Sequence, residues 1–277
     1  MHKLAELVLR GRMYALVIAV IIGYIPLVSW GAAVVVAIVA LRKGLNEAIW
    51  PLAGASIPAA YAWMLGDSSF AGVLLVSLSG ALVLANTQRL EWALLTVCAV
   101  ALVVLFGLEV LMPQQLDRLV ENYQVVLQQL DVNLQQAVDM RLFALQGLAW
   151  SMCWIAAITL LVARWLQAKL FNPGGFQREF HSLRLTPVAS GCLVLAMAVV
   201  QGFESVEPFI PILVMPLVLA GLGLLHGVAL IKKWGSFPLV VAYASLFPPF
   251  VVMGLPLMMM VAIGDSFINV RERLASK

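Results

Sequence analysis

Residues 208–231 read PFIPILVMPLVLAGLGLLHGVALI, a run without one Asp, Glu, Lys or Arg that stops at Lys232-Lys233. A hydrocarbon core about 30 Å thick is crossed by about 20 apolar residues rising 1.5 Å each, so this run has the length and composition of one membrane crossing. Working outward, further charge-free windows occupy 13–41, 48–66, 68–88, 92–108, 142–163, 185–203 and 234–264. None alternates polar with apolar residues as the strands of an outer-membrane barrel do. Of the 277 residues, 63% are hydrophobic and 11% charged, and the mean hydropathy is +1.00. A soluble domain is about a quarter charged, and a core of this size could not hide so much apolar surface from water. The expected fold is therefore all-α: a polytopic transmembrane helical bundle of eight to ten spans. Membrane helices fill 1–112, one extracytoplasmic amphipathic helix fills 113–141, and membrane helices with a cytoplasmic loop at 164–187 fill 142–277.

The net charge of +3 does not point to nucleic acid, because the basic residues sit in short loops between apolar runs, the positive-inside pattern. Arg42-Lys43, Arg89, the stretch with Arg164, Lys169, Arg178 and Arg184, and Lys232-Lys233 alternate with loops lacking basic excess at 66–67, 113–141 and 204–207. This predicts a multi-pass protein of the bacterial inner membrane with both termini cytoplasmic. Two windows resist that scheme, since 13–41 and 234–264 carry basic residues at both ends. Each is interrupted, by Gly23-Tyr24-Ile25-Pro26 in the first and by Phe247-Pro248-Pro249 and Gly254-Leu255-Pro256 in the second. Proline removes a helical hydrogen bond and clashes with the preceding turn, so a tight pair of short helices or a broken helix would return each window to its starting side. One long kinked helix is the alternative. The first window ends at Arg42-Lys43 rather than at a small-residue cleavage site, which marks a retained segment and not a signal peptide. Trp50, Trp92, Trp150, Trp165 and Trp234 stand near window ends, where indoles anchor at the interface.

Within 113–141, Leu116, Val120, Tyr123, Leu127, Leu130, Leu134 and Ala137 follow a heptad spacing. Such a helix packs on the protein's own surface or offers a coiled-coil face to a partner; its acidic balance argues against a membrane anchor, which favours Lys and Arg. Cys98, Cys153 and Cys192 lie singly in apolar windows and read as small hydrophobes. Glu109 reads as a snorkelling carboxylate near a window end, and His226 as a packing histidine or a ligand contact. Asn172-Pro173-Gly174-Gly175 is a turn without the Lys-Ser/Thr of a phosphate loop. No catalytic set is visible, no cofactor is implied, and the expectation is that the chain is not an enzyme. Ala15, Ala19 and Gly23 repeat at four-residue spacing on one helix face, where small residues admit a second helix closely. That helix is either a neighbour in the chain or a docking partner.

Phe171-Asn172-Pro173-Gly174-Gly175-Phe176, then Phe180, Leu183-Arg184-Leu185 and Pro187, resemble a signature of the YybS-like bacterial membrane proteins, catalogued as domain of unknown function 2232. Thr186 departs from that pattern by separating Leu185 from Pro187. The tail Gly264-Asp265-Ser266-Phe267, Asn269 and Arg271-Glu272-Arg273 resembles the family's ending, so the resemblance spans nearly the whole chain. The family is similar in fold to the substrate-binding S-components of energy-coupling-factor transporters. That likeness implies a small-molecule site in a helical bundle and a docking role for the Ala15, Ala19, Gly23 face.

The expected function is small-molecule binding or a transport-associated role; the alternative is a non-transporting scaffold or assembly factor acting through protein partners. Expected partners are the lipid bilayer, a membrane protein or a second copy, and a small molecule. If the two interrupted windows meet, their broken turns line one cavity, with Tyr24, Trp30, His226 and Tyr243 as its wall.

Overall fold

Each apolar window folds as helix. The computed structural model describes residues 2–129 and 139–275. Its helices are α1 (His2–Arg10), α2 (Arg12–Gly23), α3 (Trp30–Lys43), α4 (Leu45–Met64), α5 (Ser69–Thr87), α6 (Leu90–Leu111) and α7 (Pro113–Gln129). They continue with α8 (Met140–Phe171), α9 (Gly175–His181), α10 (Pro187–Val200), a 3-10 turn (Glu204–Phe209), α11 (Ile210–Ile231), α12 (Phe237–Ala244), α13 (Val251–Ile268) and α14 (Val270–Ala275). There is no strand among the described residues. Among the described residues, five segments are long and apolar enough to cross a membrane: α5, α6, α8, Val206–Ile231 and α13.

The window at 13–41 is the tight pair of short helices. Arg12, at the start of α2, pairs with Glu47 at 2.6 Å, just beyond the end of α3. The Lys43 ammonium donates to the Leu9 carbonyl at 2.8 Å. Both ends of the window therefore lie at one end of the bundle. The turn between them is apolar, and Leu27 at its tip is 95% exposed. Backbone in lipid must find its partners internally, and much of this turn does so. The amides of Ile25, Val28 and Gly31 donate to the carbonyls of Ile22, Ile25 and Val28, the Trp30 indole closes the Leu27 carbonyl, and Pro26 has no amide to close.

The window at 234–264 folds back in the same way. Gly221 of α11 meets the Met258 carbonyl of α13, and Gly227, further along, meets the Arg271 side chain. α11 and α13 thus run in the same direction and end at the same end. α12 leaves that end after Lys232-Lys233, and α13 returns to it. The same end holds Arg42 stacked 4.2 Å over the Phe171 ring and Gln167 donating to the Leu41 carbonyl at 3.1 Å.

At the opposite end, α7 lies on the chain's own α4–α5 turn. Gln115 and Asn122 donate to the carbonyls of Trp63 and Leu65, each at 2.9 Å, and Leu116 and Leu119 are buried. The heptad positions Leu130, Leu134 and Ala137 fall outside the described residues. The small-residue face of α2 is likewise used internally, which corrects the docking role expected for Ala15, Ala19 and Gly23. Ala15 and Ala19 are buried, and a side chain at Gly23 would run into Pro58 of α4. α4 answers with its own small residues: a Cβ at Gly54 would stand 2.5 Å from the Leu16 carbonyl. An external helix has no access to this face.

Replacing Gly54 with alanine should therefore force α2 and α4 apart, on the order of 1–3 kcal/mol by overpacking. Gly107 of α6 faces open space, so Gly107→Ala should leave the melting temperature equal or slightly raised. Thermal unfolding of both variants in the same lipid or detergent separates close contact from glycine replacement as such; equal losses would count against the contact.

Candidate functional site

At the basic end a cavity of about 670 Å³ lies between α8, the turn at 172–174, α9, α11 and α12. Helical spacing assembles its first wall. Leu161, Trp165 and Ala168 recur at i, i+4 and i+7 on one face of α8, with Lys169 beside them. The turn reverses the chain through Gly174, whose φ of +80° is a backbone setting glycine adopts without a steric penalty. α9 then presents Phe176 and Phe180, stacked at 5.9 Å, together with Gln177 and His181.

His226 of α11 and Tyr243 of α12 close the other side. His226 Nε2 and the Tyr243 hydroxyl are 2.9 Å apart, a hydrogen bond whose direction the imidazole tautomer sets. The His226 ring also lies 5.5 Å from the rings of both Phe180 and His181. Burial first, and the nearby Arg271 guanidinium second, lower the His181 pKa from its usual value, so that ring favours its neutral form. Its Nδ1 is buried without a hydrogen-bond partner among the described residues, a state that costs free energy until an outside group pairs with it. Lys169 sits 5.1 Å from the centre of the Trp165 ring.

Two buried polar knots hold α9 in place. Arg164, 8% exposed, forks onto both oxygens of Glu179, with the Nε contact at 2.8 Å. The same guanidinium reaches Gln167 and Gln88, so it fastens α9 to α8 and to the end of α5. On the far side, Arg184 donates to the carbonyls of Asp265 and Ser266 at 2.9 and 2.7 Å. Arg271 donates to the Asp265 carboxylate and to the Leu183 carbonyl, both at 2.8 Å. Asp265 also accepts the Val270 amide at 2.9 Å, across the left-handed break at Asn269. Between the knots, the Phe180 and His181 carbonyls approach Gly223 and Gly227 so closely that a Cβ at either glycine would stand 2.7 Å away. The stretches 171–187 and 264–273 thus form one interlock in this chain. Thr186, the departure from the pattern, caps α10 by accepting the Ala189 amide at 3.2 Å.

Of the residues expected to wall a single cavity, His226 and Tyr243 meet here. Tyr24 and Trp30 do not join them. Tyr24 rests 6.1 Å from the Tyr61 ring, and Trp30 lines a separate apolar groove between α1, α3 and α8. The two interrupted windows therefore open on two different voids, because each hairpin folds against its own neighbours, α2 on α4 and α13 on α11. Sequence reasoning treated Arg164, Lys169, His181 and Arg184 as markers of a loop and missed their part in the site. The signal available was that helical character continues through Phe171, which places Arg164 about two turns inside a helix end. The chain matches no protein-family model, and no curated protein or solved structure matches it.

Removing Arg164 leaves the Glu179 carboxylate in a largely buried place without its partner. Arg164→Ala should cost about 3 kcal/mol of stability, and lysine should recover only part of it because an ammonium cannot fork onto two oxygens. Chemical or thermal unfolding of the two variants reads this directly; an Arg164→Ala protein as stable as the parent would remove the pair from the account of the site.

Proposed function

We propose that this chain is a multi-pass membrane protein that binds a small molecule in the cavity between α8, α9, α11 and α12, as the binding body of a transport-associated system. The observation that carries the reading is the convergence of Lys169, His181, His226 and Tyr243 with aromatic surfaces in one cavity. Its walls are fixed by buried ion pairs. A few placed polar groups in a largely apolar hollow are the usual make-up of a small-molecule site. The scaffold alternative has less support, because the α2 face and part of α7 are taken up by contacts within the chain. The resemblance to YybS-like proteins, and through them to S-components, points the same way.

In this reading α4, α5, α6, α8, α10 and α11 cross the bilayer, and the two hairpins, α2–α3 and α12–α13, supply four further segments, at the upper end of eight to ten. The basic end faces the cytoplasm with both termini, and α7 lies outside it, as the distribution of Arg and Lys favours. In spheroplasts of a Cys192→Ala background, Gln128→Cys should react with a membrane-impermeant maleimide, and Gln177→Cys should react only after lysis. The opposite labelling would reverse the orientation.

Protein purified from its native membrane should release a stoichiometric small molecule on denaturation, identified by mass spectrometry. His226→Ala should release much less. An empty wild-type chain that instead holds a stoichiometric protein partner would favour the scaffold.

A further inference from the structure

A second void of about 350 Å³ adjoins this cavity between α8, α11 and the α12–α13 turn, with Leu161, Phe180 and Tyr243 as walls common to both. The two halves differ in chemistry. The first presents an ammonium, two imidazoles, a hydroxyl and an amide. The second is walled by Trp150, Trp154, Leu219, Leu222, Leu246 and Phe247, among other apolar side chains. No Asp or Glu lines either half. Glu179, next to Phe180 in the chain, has both oxygens on Arg164. Lys169 forms no ion pair with a carboxylate among the described residues; its contact is with the Trp165 ring.

Such a hollow has a head and a tail, and the head has donors and positive charge in excess. We propose that the double cavity binds an anionic amphiphile with one aliphatic chain, its phosphate or carboxylate against Lys169 and the His181–Tyr243 cluster, its chain in the slot beside Trp150 and Trp154. The inference rests on reading the cavity as a ligand site and adds the class of ligand. At about 350 Å³ the slot is near the lower bound of ligand pockets, which suits one chain rather than two. Ile158 and Phe247, at the slot's rim, are 45% and 67% exposed on the flank of the bundle, so a molecule dissolved in the bilayer reaches the slot sideways.

The bilayer also decides which part sets affinity. A chain that leaves lipid for an apolar slot gains nothing from the hydrophobic effect, because lipid tails are as apolar as the slot. The chain delivers the ligand, and the head selects it. Charge at position 169 should therefore matter more than chain length.

The test uses the full chain in phosphatidylcholine nanodiscs and a brominated-chain alkyl phosphate, whose bromines quench nearby indoles. Quenching should saturate as the probe's mole fraction rises and be reversed by dodecyl phosphate. It should lose its saturable part in the Trp150→Phe/Trp154→Phe double variant. Lys169→Ala should raise the half-saturation point tenfold or more and Lys169→Arg should restore it, with melting temperatures verifying that each variant is folded. Equal saturable quenching by a brominated dodecanol would overturn the anionic head. Quenching strictly proportional to mole fraction would mean a lipid annulus only. Inorganic phosphate competing as well as dodecyl phosphate would assign the site to free phosphate. If the amphiphile arms fail while the wild-type chain releases a water-soluble molecule, this inference falls and the small-molecule reading stands.

Discussion

Every arginine and lysine that borders an apolar run must keep its charge in water, and at the basic end of this chain that requirement controls the path of the backbone. Arg12 and Arg42-Lys43 border one window, and Lys232-Lys233 and Arg271 flank another. A single crossing would leave one of each pair on the wrong side. The chain satisfies the requirement by turning back within the window, and the turn is possible because its amides are closed locally. In 24–31, the amides of Tyr24, Ile25, Val28 and Gly31 are closed by short-range bonds, and the Leu27 carbonyl is closed by the Trp30 indole. In 245–250, Leu246, Phe247 and Phe250 donate to Tyr243, Ala244 and Phe247, while Pro248 and Pro249 bring no donor.

The same end of the bundle collects the polar groups that define the site. Once the helix ends and connections containing Arg164, Glu179, Arg184, Asp265 and Arg271 are confined there, their charges lie close together with little water between them. A buried ion pair adds little net stability compared with a hydrocarbon pair of similar size, yet breaking one is expensive. The two knots are therefore better understood as registers. They fix where α9 sits against α8 and against the tail, and the Gly223 and Gly227 contacts fix how deep it sits. The aromatic box of Phe180, His181, His226 and Tyr243 follows from that placement.

Much of this was legible in the residues and some was not. Charge-free windows marked every long helix because a missing charge is a local property of the sequence. The conflict of basic residues at 13–41 and 234–264 pointed to a fold-back because it is a property of one segment and its flanks. The meeting of His226 with Tyr243 was within reach, since both lie near Lys232-Lys233 in the chain. Pairings such as Arg164 with Gln88, or Arg184 with Asp265, join segments 76 and 81 residues apart in the chain, and no periodicity reports them. The Ala15, Ala19, Gly23 stripe shows the limit most plainly. Its spacing announces close approach of a helix, but only the complementary Gly54 and Pro58 on α4 tell which helix comes.

The fold-back turns also bear on how the protein is made. Residues 24–29 contain no ionisable group but Tyr24, and the backbone there is hydrogen-bonded by its own neighbours. Inserting α2 and α3 together therefore requires no polar loop to be drawn through the hydrocarbon, and both flanks stay on one side of it. The pair can partition into the bilayer as a single wedge once Arg42-Lys43 has emerged from the ribosome. In the folded chain, Gly54 and Pro58 of α4 close over the small-residue face of that pair.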